Sequence, residues 1–404
     1  MSIIQNREYK LGTEPWMQVI IGAFALFIAM SVGRFAYTPI LPLMQAQAHF
    51  SDASAGYLAS SNYVGYLIGA FAAGSVTWIR RRRLYVYRWS LIVSILANGL
   101  MTLTSSLWVW SVIRTISGIS SALVFVLISS IVLDVLAMQN RSKLSGVLYG
   151  GVGFGIAVTG LVVPAIGSQF GWRGEWLGLM VLSIVIGIPT TIWTKDLSNK
   201  SKQQSINPEN QIYEQKKYFP WLVLAYGCEG FGYIITGTFL VEMASKMPTL
   251  HGYATYSWVV VGVAALPSTI LWAYLAHRYG DIPILVTAYL LQALGVMLPV
   301  LLPTEMGVFL GSIFFGGTFL GITSVGTMLG RKLRPQDSSK AIGLMTGIYG
   351  IGQILGAAGA GLLADHLGGF DIPTLAASGI ILVGAAVLLF GKFTVNPASI
   401  THTP

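Results

Sequence analysis

Runs of 18 or more mainly apolar residues recur along nearly the whole of this 404-residue chain, each long enough to cross about 30 Å of hydrocarbon as a helix. Twelve can be marked, at roughly 16–45, 53–79, 84–104, 107–135, 142–166, 174–194, 218–245, 253–276, 282–302, 305–330, 340–364 and 371–391. Lipid offers no water to backbone N–H and C=O groups, so each run must satisfy its own hydrogen bonds. The expected fold is therefore an all-α membrane protein of twelve transmembrane helices. The composition agrees: 10% of the residues are charged, against about 25% in soluble globular domains. The 47 glycines suit helices that approach closely in lipid.

The net charge of +9 needs no nucleic acid to explain it. With the N-terminus in the cytoplasm, twelve spans place 20 of the 24 Lys and Arg in cytoplasmic segments, among them Arg7, Lys10, Arg80 to Arg83, Arg141, Arg278, Arg331 and Lys392. Only Arg173 and Lys246 fall outside, and Arg34 and Arg114 lie within spans. Both termini are thus expected in the cytoplasm. Residues 1–15 are polar with no cleavable leader pattern, so the first span is expected to be retained. Cys228 is the single cysteine, which leaves no disulfide framework.

One long polar interruption, 195–217, is too rich in Lys, Gln, Asn and Ser to form a core and reads as a cytoplasmic linker. It divides the chain into six-helix bundles at 1–194 and 218–404. The halves are related. SKLSGVLYGGVGFG from Ser142 reappears as SKAIGLMTGIYGIG from Ser339, with six identities at an offset of 197. GRFAYTPILPLM from Gly33 parallels GYIITGTFLVEM from Gly232 at an offset of 199. Two related membrane halves are the architecture of a secondary transporter, with the substrate site where they meet.

With its central basic linker, the chain resembles the major facilitator superfamily over its whole length. That family's signature after the second span survives in the second half as Ala273-Tyr274-Leu275-Ala276-His277-Arg278-Tyr279-Gly280 and is degenerate in the first, from Gly74 to four arginines. Both copies lack the family's aspartate, replaced by Trp78 and His277, so the family's Asp–Arg gating pair is not carried over. Gly33 to Pro42, Gly230-Phe231-Gly232-Tyr233 and Gly171-Trp172-Arg173 resemble the bacterial YbfB/YjiJ-type subgroup. The resemblance implies a transporter of the cytoplasmic (inner) membrane of bacteria.

Arg34 lies about 18 residues into span 1, where an arginine costs at least about 2.5–3.5 kcal/mol unless it faces a cavity or a partner. It could grip an anionic group with its planar fork, or lock helices together through backbone carbonyls or an ion pair. Tyr37 and Thr38 share its face, and Pro39 and Pro42 are expected to bend the helix just beyond them. Arg114 with Gly118 matches the family's Arg-x-x-x-Gly pattern, which implies a part in proton transfer; the alternative is a structural arginine. Glu229, about 11 residues into span 7, is poorly solvated and expected to favour its neutral form, which suits a proton-coupling group or a resting partner for Arg34. Asp134 is the second proton-coupling candidate, although it and Glu242 fall near span ends, where solvated or capping roles are usual. Asn62, Tyr63 and Tyr66 in span 2, Tyr149, Tyr233 and Gln353 are polar groups in apolar helices. Each serves either as interhelical glue or as a cavity wall. Tyr37, Tyr233 and Gln353 are the ones expected to line a cavity, and Asn62, Tyr66 and Tyr149 complete the candidate set.

No catalytic set emerges. The five histidines lack metal-ligand spacing, and GVGFG at 151–155 follows no strand, so neither a metal nor a cofactor is expected. The reading is a transporter, not an enzyme. It is expected to move a small organic anion by alternating access coupled to protons, and to work as a monomer in the lipid bilayer without nucleic acid. The alternative is a proton-driven exporter of amphipathic or cationic drugs. Intramembrane arginines weigh against it, as does Val163 where the exporter motif has glycine before Pro164.

Overall fold

The structure is a computed structural model and describes residues 15–139, 141, 144–195, 216–250, 252–335 and 337–394. Most of the expected linker, 196–215, lies outside the described residues. Span 1 is Pro15–Ala48, span 3 Arg83–Leu103, span 4 Leu107–Met138, span 7 Phe219–Ser245, span 8 Tyr256–Tyr279, span 9 Asp281–Leu301, span 10 Glu305–Leu333, span 11 Ser338–Leu367 and span 12 Asp371–Thr394. Span 2, Asp52–Ser75, carries Ser60, Asn62 and Tyr63, whose polar groups are met inside the protein. It stops short of the expected 79. Extended backbone at Val76 separates it from a short helix, Thr77–Arg81. Spans 5 and 6 form one 49-residue run, Ser145–Trp193, folded at Gly171. There φ is 64° and ψ −173°, a conformation that favours glycine. The Gln47 side-chain oxygen accepts from the Trp172 N–H at 3.1 Å and secures the corner. The result is twelve transmembrane helices in two six-helix bundles.

The internal repeat is visible in the packing. In the first half span 2 lies on span 4, span 3 on span 4 and span 1 on span 5; in the second, span 8 lies on 10, span 9 on 10 and span 7 on 11. Between the halves, span 2 packs on span 11 and span 5 on span 8. These seams use the repeated glycines: Gly350 meets Leu67, and Gly153 meets Gly262 and Leu266.

The two ends of the bundle differ. The basic end carries Arg80 to Arg83, Arg331 and Lys332. At the far end, a Cβ on Gly56 would lie 2.5 Å from the Ala357 carbonyl oxygen, so spans 2 and 11 touch backbone to backbone. At the basic end, a Cβ on Gly343 would meet no described atom within 4 Å. The halves are closed at the far end, while at the basic end a Cβ on Gly146 of span 5 would still lie 2.2 Å from Ile270 of span 8. On that seam, a Cβ on Gly262 would lie 2.2 Å from the Ala157 nitrogen. Gly262→Val should therefore cost about 1–3 kcal/mol by overpacking. A melting temperature equal to wild type would show that this seam is not tightly closed.

Candidate functional site

Span 1 changes its winding at mid-length. It is α-helical over Pro15–Leu26, π-helical over Phe27–Phe35 and α-helical again over Tyr37–Ala48. Pro39, lacking an N–H, cannot serve the carbonyls four and five residues before it, at 35 and 34. The change of winding therefore falls before Tyr37 rather than just beyond Tyr37 and Thr38, where the bend was expected. The wide turns expose carbonyls, and polar groups of spans 2 and 4 collect on them. Gly33 O accepts from Ser117 Oγ at 2.9 Å, Arg114 Nη1 at 3.3 Å and Asn62 Nδ2 at 3.4 Å, while Arg114 Nη2 reaches Arg34 O at 3.4 Å. Asn62 Nδ2 also donates to Arg114 O at 3.0 Å.

Arg114 thus holds span 1 by its backbone, with its guanidinium over the Tyr37 ring at 4.8 Å. This is the structural geometry of the two considered for it. Tyr37 turns its hydroxyl to Ala55 O at 3.1 Å, away from Arg34.

Arg34 is different. Its guanidinium reaches the opposite half, where Nη2 donates to Tyr233 Oη at 3.2 Å, and Gln353 Nε2 donates to the same hydroxyl. Thr38 Oγ1, on the next turn, donates to Gly237 O at 2.5 Å. Arg34–Tyr233 and Thr38–Gly237 are both separated by 199 residues, the offset of the repeat, so equivalent positions of the two halves meet at their common axis. Arg34 stacks over Tyr66 at 4.3 Å and Tyr63 at 4.9 Å. It is 3% exposed, its Nε is buried without a partner, and no ion pair among the described residues includes it.

Four sequence candidates thus converge at one point: Arg34, Tyr66, Tyr233 and Gln353. Tyr149 is half-buried beside Phe125 and within electrostatic reach of Tyr66, on the basic-end approach.

Glu229 lies one helical turn before Tyr233. It is completely buried, and both its carboxylate oxygens lack a hydrogen-bond partner. Gln292 of span 9 faces it without closing to hydrogen-bond geometry. Glu229 is not paired with Arg34 as a resting counter-ion. It interacts instead with Tyr226, Tyr289 and Tyr349 around it.

Asp134 is absent from this centre. It sits 20 residues along span 4 from Arg114, about 30 Å at 1.5 Å per residue, and binds Arg83 Nη1 at 2.6 Å. Its counterpart, 198 residues on, is Lys332, which binds Asp281 at 2.7 Å, so the repeat keeps this staple with the charges exchanged. Asp134→Asn should leave the pH dependence of transport at its wild-type form. A shifted pH profile would return Asp134 to the coupling machinery.

Glu242 also departs from the solvated or capping role expected of it. It is 6% exposed and binds Lys246 at 3.1 Å, and Lys246 crosses to Asp52 of the other half at 3.1 Å. The Asp52 N–H donates to Asp365 at 2.9 Å. Together these groups latch the far end. Sequence reading also passed over Tyr349, Phe315 and Phe319, whose rings stack on Tyr233 at 5.4, 6.4 and 6.2 Å. Tyr349 lies inside the repeated segment, the one signal that could have marked it.

Two related six-helix bundles with a polar centre on their common axis define a membrane transporter of the major facilitator (MFS) type. The chain belongs to the family described as uncharacterised MFS-type transporter YbfB, whose profile matches residues 26–389. It is 22% identical over 391 residues to the uncharacterized MFS-type transporter YtbD of Bacillus subtilis strain 168, covering 94% of this chain and 95% of that one. It is 23% identical over 404 residues to the gentisate transporter of Corynebacterium glutamicum, covering 96% and 86%. Among solved structures it matches the bacterial homolog of the human lysosomal transporter Spinster, in its inward-facing, unoccupied conformation, at a TM-score of 0.71 and 14% identity, covering 96% and 98%. It matches the nucleoside transporter NupG at 0.68 and 16%, covering 96% and 100%. These two likenesses concern the fold.

Proposed function

We propose that this protein is a monomeric, proton-coupled secondary transporter of a small organic anion, working by alternating access in the bacterial cytoplasmic membrane. The observation that carries the reading is Arg34, a buried cation on the axis between the halves, bonded to the Tyr233 phenol that Gln353 also meets, and paired with no carboxylate among the described residues. A guanidinium in a low-dielectric centre with an unused N–H is suited to a carboxylate from outside the chain. Its bond to Tyr233 ties one half to the other, so an anion that draws Arg34 away loosens that tie. Glu229, beside Tyr233 and with no cation to balance a charge, is the group we assign to proton loading. The gentisate transporter among the relatives supports an anionic cargo.

The test is uptake of labelled carboxylates into proteoliposomes with and without an imposed proton gradient. Accumulation should follow the gradient and collapse with a protonophore. Uptake indifferent to the gradient would remove the coupling, and uptake of cations alone would favour the drug-exporter reading.

The charge distribution supports a cytoplasmic basic end and an external latch. A cysteine at position 205, in a Cys228→Ser background, should resist membrane-impermeant maleimide in intact cells, and one at position 173 should react. The reverse pattern would invert the topology.

A further inference from the structure

The surroundings of Arg34 say more about an anion than that it is negative. The cation is faced by aromatic rings from both halves. Tyr66 and Tyr63 of span 2 lie against the guanidinium itself, and Tyr233 of span 7 heads a stack of near-parallel rings, 8° from Phe319 and 24° from Tyr349. Polar groups are few here and gather at one point, the Tyr233 hydroxyl and the Gln353 amide. A second cation is not free to help, because Arg114 is spent on the carbonyls of Gly33 and Arg34. Of the rings around the site, Tyr63 and Tyr233 are buried, whereas Tyr66 and Tyr349 are only partly covered. Tyr349 is flanked by Tyr226 at 4.7 Å and Tyr233 at 5.4 Å, so Tyr66 is the partly covered ring left to an entering ligand.

Resting on the anion reading above, we infer that the ligand is a planar aromatic monocarboxylate, its carboxylate on Arg34 and its ring against Tyr66. One cation whose buried Nε–H is without a partner, and whose fork of donors suits the two oxygens of a carboxylate, matches a single carboxylate. A flat ring gains from stacking on the tyrosine face what a puckered ring of similar size does not. The Tyr233 hydroxyl and the Gln353 amide stand beside the carboxylate as its remaining hydrogen-bond partners.

The experiment is calorimetric titration of the detergent-solubilised full-length protein with benzoate, cyclohexanecarboxylate, phthalate and benzamide. Benzoate should bind about tenfold more tightly than cyclohexanecarboxylate and more tightly than the dianion phthalate, and benzamide should not bind. Tyr66→Leu, which keeps apolar bulk but removes the ring face, should bring benzoate and cyclohexanecarboxylate to similar affinities while both still bind. Equal affinity of these two for the wild-type protein would overturn the aromatic inference and leave the anion reading standing. Phthalate binding as tightly as benzoate would overturn the single-charge part. A tenfold preference that persists in Tyr66→Leu would remove Tyr66 from the site. Failure of every carboxylate to bind protein that still melts cooperatively would overturn both this inference and the reading beneath it.

Discussion

Arg34→Ala should abolish anion binding and transport while the protein remains folded and membrane-inserted. Losing one partner of a buried, hydrogen-bonded charge interaction costs about 2–5 kcal/mol, roughly 30-fold to several thousand-fold in affinity. The fold should survive because Arg34 closes no ion pair among the described residues and holds no helix by its backbone; that task falls to Arg114, Asn62 and Ser117. Arg34→Lys should restore little, since an ammonium is a point charge that cannot present the planar fork. The contrast with Arg114→Ala is informative. That change strips donors from the π-helical carbonyls of span 1 and should lower thermal stability as well as transport. Transport at the wild-type rate by Arg34→Ala would move Arg34 to a purely structural role.

Glu229→Gln should separate two activities that a misfolded protein would lose together. The amide imitates the protonated carboxyl, so substrate counterflow should persist while accumulation driven by a proton gradient disappears. Both would be measured in one proteoliposome preparation with matched protein content. The expectation rests on a carboxyl group that is fully buried, has neither a cation nor a hydrogen bond among the described residues, and stands one turn from the Tyr233 that Arg34 touches. Should the variant still concentrate substrate with the wild-type pH dependence, Glu229 is not the proton carrier. Glu242 in the far-end latch would be the next acidic group to test.

Much of the candidate centre could be read from the sequence, residue by residue. Arg34 and Glu229 stood out because an ionisable side chain at mid-membrane is costly wherever its helix points. Depth follows from counting along an apolar run. The partners of these residues do not follow from counting. Arg114 and Arg34 looked alike in sequence, both arginines within spans of the first half. Only the packing shows one spent on span 1 carbonyls and the other turned to the opposite half. Asp134 looked like a companion of Arg114 because both lie on span 4, but the helix carries it about 30 Å away to Arg83. Glu242 looked solvated because it is near a helix end, yet the other half closes over that end and buries it.

The sequence by itself determined the number of spans, their division into two halves and the offset that relates them. It did so because crossing lipid is a local requirement, met by each apolar run on its own hydrogen bonds. The 199-residue offset aligned Arg34 with Tyr233 and Thr38 with Gly237, and the packing showed that these aligned positions meet on the axis. The tertiary structure alone decided the π-helical turn that exposes carbonyls to Arg114, the tyrosine faces around Arg34, and the closed far end. Each of these depends on how one helix is rotated against another. In a membrane that rotation is set by close packing and polar contacts between distant segments, and hydropathy carries almost no record of them.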